Sequence, residues 1–170
     1  IKLAAVAPKL LCLNETFLDK AVGDVVITDY MLIARRDRID EKGGVCVYAH
    51  KSIAEQVTFL EESEESERVW CVLHTDYGPF LLCAWYRPPS DEQLSIESCE
   101  KEHERLSRDV MGTLLVGDLN VHHAGRLRHS NGTSAAGRQM CLAAAQMSLH
   151  QIVRSPTRDV EDEAGMTSCA

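Results

Sequence analysis

A series of short apolar runs crowds the stretch from Tyr30 to Tyr86, each closed by turn-forming residues. Tyr30–Arg36, Val45–Ala49, Arg68–His74 and Phe80–Tyr86 are too short for stable helices, and β-branched or aromatic residues recur in them, so they read as strands. Ala54–Leu60 is a weaker run of the same kind. Gly43-Gly44 precedes one strand, and Asp76-Tyr77-Gly78-Pro79 turns the chain between two others. Spacing this tight forces neighbouring runs to pair, so the middle of the chain is committed to sheet. Earlier, residues 1–9 read as the end of a helix closed by Pro8. Lys9–Leu13 reads as a short buried strand stopped by Asn14-Glu15-Thr16. Phe17–Thr28 reads as loop and Arg36–Lys42 as a charged turn.

After Ser90 the pattern changes. Ser90 suits an N-cap, with Asp91 and Glu92 in the first turn where they oppose the helix dipole. Glu97–Val110 is rich in helix formers, and Leu94, Ile96, Cys99, His103, Leu106 and Val110 offer an inner face. Thr113–Gly117 is a strand, Gly125–Gly132 a basic loop, Ser134–Met147 a second helix with small residues Ala136, Ala143 and Ala144, and Gln151–Val153 a last short strand. Strands followed by alternating helix and strand predict a mixed α/β (α+β) protein. Two facing mixed β-sheets flanked by helices, a four-layer sandwich, fit best. At 170 residues one domain suffices.

Composition limits what such a fold can do. The net charge of −8 argues against a general polyanion-binding surface, while leaving room for a local basic rim at Arg35-Arg36-Arg38 or Arg126 and Arg128. Glu61, Glu62, Glu64, Glu65 and Glu67 form an acidic run expected to be a solvated loop. The seven cysteines are odd in number and lack a C-x-x-C pair. Cys12, Cys46, Cys71 and Cys83 lie inside apolar runs, so a reducing, intracellular compartment without a disulfide framework is expected. No apolar run reaches the length of a membrane span.

Three apolar strands end in polar clusters: Glu15, Tyr86, and Asp118 with Asn120. In layered α/β proteins ligands bind at strand ends. Asp118 and Asn120 are two apart, so in an extended segment they share a side. The alternative is a polar turn in which both bond their own backbone. If the ends converge, they make a pocket of two carboxylates, a phenol and an amide. Such oxygen-rich sites suit Mg²⁺ or Mn²⁺, which stabilise a transferring phosphoryl group, while a second carboxylate aligns or deprotonates the attacking water. That is the equipment of a phosphodiesterase or phosphatase.

Leu13-Asn14-Glu15-Thr16, Gly43-Gly44-Val45, Trp85-Tyr86-Arg87-Pro88, Gly117-Asp118-Leu119-Asn120 and His122-His123 occur in the order and spacing of the endonuclease/exonuclease/phosphatase superfamily. More narrowly, the chain resembles the apurinic-type endonuclease domain of non-LTR retrotransposons, and Val153-Arg154-Ser155-Pro156-Thr157-Arg158 resembles a later segment of that group. The resemblance implies a Mg²⁺- or Mn²⁺-dependent DNA endonuclease that nicks target DNA for retrotransposition, nuclear and acting beside a reverse transcriptase domain. It implies that Glu15 binds the metal, that Asp118 orients or activates the attacking water, and that Asn120 and Tyr86 contact the scissile phosphate. Asn14, Arg87, His122 and His123 are candidate substrate contacts. The two histidines point apart on an extended chain, so a structural or DNA-facing role is expected rather than a metal site.

The resemblance covers about residues 5–158, within an expected partial domain of residues 1–158. In that family an asparagine-bearing strand precedes the position of residue 1, and a Ser-Asp-His motif follows the position of Arg158. Residues 159–170 contain no histidine and are expected to be a non-homologous, disordered tail, as after a frameshift, a splice error or decay of the element. The chain is therefore expected to be a truncated copy, with activity lowered by orders of magnitude. The rival expectations are a catalytically dead remnant and a phosphatase of the same superfamily.

Overall fold

The computed structural model describes residues 7–38, 43–91, 94–126, 130, 132–153, 160–161 and 167–168. In chain order the elements are β1 (Leu10–Asn14), β2 (Tyr30–Arg36), β3 (Val45–His50), a 3-10 turn (Ala54–Gln56), β4 (Val57–Glu62), β5 (Glu67–Thr75), β6 (Gly78–Tyr86), α1 (Leu94–Leu106), β7 (Gly112–Asp118), α2 (Ala135–Gln146), and the short β8 (Val160–Glu161) and β9 (Thr167–Ser168). The chain divides into two compact units. The first holds residues 1–88 and 105–119, the second 89–104 and 120–170.

The first unit is a two-sheet sandwich, as expected. One sheet has the order β1-β3-β2, all antiparallel, and the other the order β4-β5-β6-β7. Among the described residues only the β6–β7 pair is parallel, and parallel neighbours need a long crossover, which here carries α1. Alternation sorts the side chains by face. Val45, Val47 and Ala49 of β3 meet Val69, Cys71, Leu82, Ala84 and Tyr86 of the second sheet in one core. Cys46 and Tyr48 face the other way, where Leu18 and Ile27 of the long loop close over them. Tyr48 Oη holds that cover by donating to the Val25 carbonyl at 2.9 Å, and Tyr30 Oη donates to the Pro8 carbonyl, ahead of β1, at 2.6 Å.

The acidic run is not a solvated loop throughout. Glu61 and Glu62 belong to β4, and Ser63, Ser66 and Glu67 are buried. A buried cation explains this. Arg68 is fully buried, stacks 4.5 Å over the Trp85 ring, and donates to Ser63 Oγ at 3.1 Å. Trp85 Nε1 donates to Ser66 Oγ at 2.7 Å. An unpaired buried charge is costly, so the bend folds inward to supply Arg68 and Trp85 with oxygens.

Other expectations are corrected locally. Ala54–Gln56 is a 3-10 turn and the strand starts only at Val57. Residues 7–9 are not helical, and 1–6 lie outside the described residues. α1 begins at Leu94, which is exposed, and stops at Leu106, leaving Val110 in the approach to β7. Ser90 sits in a turn ahead of it, and Glu92 lies outside the described residues. Gln151–Val153 is not a strand: among the described residues it pairs with nothing, and Ile152 is 79% exposed. A short run without a neighbouring backbone to bond has no reason to extend.

In the second unit, Ser134 caps α2 by accepting from the Gly137 amide at 2.9 Å, and Gln139 Nε2 reaches Glu97 Oε1 of α1 at 3.5 Å. Ala143 and Met140 are buried. β8 and β9 form a two-residue antiparallel ladder.

Gly117 shows how tightly β7 meets β6. Its φ is +144°, and a Cβ there would overlap the Trp85 carbonyl. Gly117→Ala is therefore expected to destabilise the protein by about 3 kcal/mol, from backbone strain plus overpacking. A urea-unfolding midpoint unchanged from wild type would contradict this.

Candidate active site

β6 lies between β5 and β7, so Tyr86 has Glu67 across from it on one side and Asp118 on the other. Cross-strand partners project from the same face of a sheet. Glu67, Tyr86 and Asp118 therefore form one row at the strand ends, with Tyr86 and Glu67 buried and Asp118 exposed.

Glu15 reaches this row from the other sheet. β1 pairs regularly with β3 down to Asn14 opposite Val45. Beyond it, the Thr16 amide bonds the Gly44 carbonyl at 3.4 Å and the Phe17 amide bonds the Gly43 carbonyl at 2.8 Å. These bonds are one residue out of step with the strand pairing. The extra residue is Glu15, whose φ of 51° is left-handed. An inserted residue of this kind re-aims a side chain. Tyr86 Oη donates to Glu15 Oε1 at 2.8 Å.

The Gly43-Gly44 pair permits the approach. Both residues have positive φ, and a Cβ on Gly43 would overlap the Glu67 carboxylate while one on Gly44 would crowd Thr16 Oγ1. The Gly44 amide donates to Glu67 Oε2, and Arg38 Nη1 lies 3.5 Å from Glu67 Oε1.

Burial pushes the Tyr86 phenol up to about 12, helped by its bond to Glu15 and by the negative fields of Glu15, Glu67 and Asp118. The phenol is thus a neutral donor at physiological pH. Asn14 Oδ1 is buried and, among the described residues, accepts no hydrogen bond. Arg87 is buried. Its amide donates to the Asp118 carbonyl at 2.8 Å and its guanidinium to the Leu119 carbonyl at 3.4 Å. It braces the exit of β7, its charged group turned to the chain.

Glu15, Tyr86 and Asp118, drawn from the sequence, therefore come together in the first unit. Asn120, His122 and His123 belong to the second. The parity argument for Asp118 and Asn120 does not hold, because β7 ends at Asp118 and Asn120 has a left-handed φ of 46°. His122 and His123 serve the local chain. The His122 carbonyl accepts from the Ser134 amide at 2.9 Å, and a side chain at Gly137 would overlap it. His123 Nδ1 accepts from the Gly125 amide at 3.2 Å. Arg126 is exposed in this turn, and Arg128 lies outside the described residues. Among the described residues no group of three or more His, Cys, Asp or Glu is disposed to hold a metal. The described cysteines form no disulfide with one another, and burial pushes Cys12 and Cys46 to about 11 and Cys71 to about 12, so these three thiols are unreactive. The residue missed in the sequence is Glu67. Its only signal was its place at the start of a strand, where it was counted with the acidic run.

A spectrophotometric titration is expected to show one tyrosine ionising near 12, lost in Tyr86→Phe. The unfolded phenol titrates near 10. The contribution to stability is therefore complete below about 10 and lost as pH rises towards about 12, because the unfolded chain releases its proton first. Urea midpoints measured across that window should fall less steeply in Tyr86→Phe.

No protein-family model and no curated protein matches the chain. Among solved structures it is similar to the "Endonuclease domain of TRAS1, a telomere-specific non-LTR retrotransposon", with a TM-score of 0.61 and 15% sequence identity, over 84% of this chain and 64% of that one. The chain thus spans less than two thirds of that domain's length. At this identity the likeness is one of fold, and it agrees with the expected sandwich: the chain has the fold of a non-LTR retrotransposon endonuclease domain.

Proposed function

We propose that the chain is a metal-dependent phosphodiesterase domain whose substrate is DNA, an endonuclease of the kind that nicks a retrotransposon target site. The observation that carries this reading is the contact between Glu15 and Tyr86, residues 71 apart in sequence, with Asp118 directly across from Tyr86. The similar fold of the TRAS1 endonuclease domain supports the choice of a nuclease over a phosphatase.

The donor set fits Mg²⁺ or Mn²⁺. Such ions take one or two carboxylates plus water and substrate phosphate, which asks less of the protein than a cluster of three ligands. Glu15 would hold the ion, with the orphaned Asn14 oxygen beside it in sequence as a further hard donor. When bound, the ion would neutralise charge building on the phosphate. Tyr86 would hold Glu15 in place by donating its one hydroxyl hydrogen to it, or turn that hydrogen to the phosphate when substrate is bound. Asp118, exposed at its strand end, would orient the attacking water or take its proton. Asn120 keeps the phosphate-contacting role that the resemblance implies for it. A partner reverse transcriptase domain and a nuclear location follow from the same reading. Among the described residues no helix is long and apolar enough to cross a membrane.

A supercoiled plasmid incubated with the protein and Mg²⁺ is expected to convert to open circles. Glu15→Gln and Asp118→Asn should each slow that conversion by about 10²–10³-fold, and chelation should stop it. Nicking that survives both substitutions would overturn the assignment. Cooperative melting without any nicking would point instead to a folded domain that does not cut.

A further inference from the structure

We propose that Glu67 is a positioning residue for this site, holding Glu15 in place through the Gly43-Gly44 turn. The links are all in the first unit. The Glu67 carboxylate accepts the Gly44 amide. The carbonyls of Gly44 and Gly43 accept the amides of Thr16 and Phe17. Those two bonds set the extra residue, Glu15, in its left-handed conformation, from which its carboxylate reaches Tyr86 Oη. Glu67 is also the cross-strand partner of Tyr86. One carboxylate therefore faces both halves of the Glu15–Tyr86 contact, one through the backbone and one across the sheet.

Three features separate this from an ordinary buried acid. First, the space is fitted to it: a Cβ on Gly43 would overlap the Glu67 oxygen. Second, Glu67 is only 8% exposed in a run whose other acids are exposed or half-buried, and a carboxylate is buried at a cost unless its oxygens are matched. Third, beside its ion pair with Arg38, one of its bonds goes to a backbone amide next to the site. Such bonds from charged acceptors are stronger than neutral ones. Glu67 touches neither metal nor phosphate in this scheme. Its effect on chemistry runs through the placement of Glu15.

The kinetic half of the test rests on the proposed nuclease activity; the structural half does not. In the full chain, Glu67→Ala is expected to speed exchange of the Gly44 and Phe17 amides by about tenfold or more, while amides of the β5–β6 ladder keep wild-type protection. Glu67→Gln retains an acceptor for Gly44 and should restore most of that protection. Nicking should follow: kcat reduced by about 10²-fold in Glu67→Ala, with KM for DNA little changed and substantial rescue in Glu67→Gln. If Glu67→Ala does not melt cooperatively, Glu67→Asp decides, because its shorter side chain keeps the charge but withdraws the acceptor from Gly44. Wild-type exchange at Phe17 and Gly44 in whichever variant folds would overturn the proposal, as would an unchanged kcat. If the wild-type chain does not nick, the function reading fails and amide exchange alone judges Glu67.

Discussion

A phenol surrounded by carboxylates organises one end of this sandwich. Tyr86 belongs to the core by its ring and to the site by its hydroxyl. Glu15 accepts its hydrogen bond, Glu67 and Asp118 flank it, and burial keeps it neutral. A neutral donor among acids joins the two sheets with a hydrogen bond that a second carboxylate could not make. The ring fixes the depth of the contact, since it packs with Val69, Ala84 and the other inner-face residues. The position of Glu15 is thus tied to the core's own packing.

The opposite face of the same strands meets a different demand. Arg68 and Trp85 are fully buried there and need oxygens. Ser63 and Ser66 provide them, which draws the bend between β4 and β5 inward and brings Glu67 to the start of β5 in register with Tyr86. Satisfying a cation on one face therefore sets the carboxylate row on the other. The bidentate pair between Arg105 and Glu61 adds a bond from the end of α1 to β4, but it is exposed and adds little.

Much of this was legible in the sequence because short apolar runs between turn residues have few alternatives to sheet. Tyr30–Arg36 and the β5–β6 hairpin follow from alternation and from Asp76-Tyr77-Gly78-Pro79. Glu15, Tyr86 and Asp118 were legible as polar residues ending apolar strands. What was not legible depends on partners distant in sequence. Nothing near Glu67 reveals that a buried Arg68 folds its segment inward, or that Gly44 will donate to it. Ile152 and Val153 look like strand residues, yet extension needs a neighbour to bond. Parity could not place Asn120, because it assumes a continuous strand, whereas β7 ends at Asp118 and Asn120 is left-handed.

The single inserted residue at Glu15 has a consequence for how this site tolerates change. Substitution elsewhere in β1 leaves the count of residues between Asn14 and Phe17 intact, and with it the direction of the carboxylate. Loss of one residue in that interval would restore even pairing with β3 and turn the acid away from Tyr86. The chemistry here is encoded in a number as much as in a letter. Descendants of this chain can drift in composition far more safely than they can shorten by one.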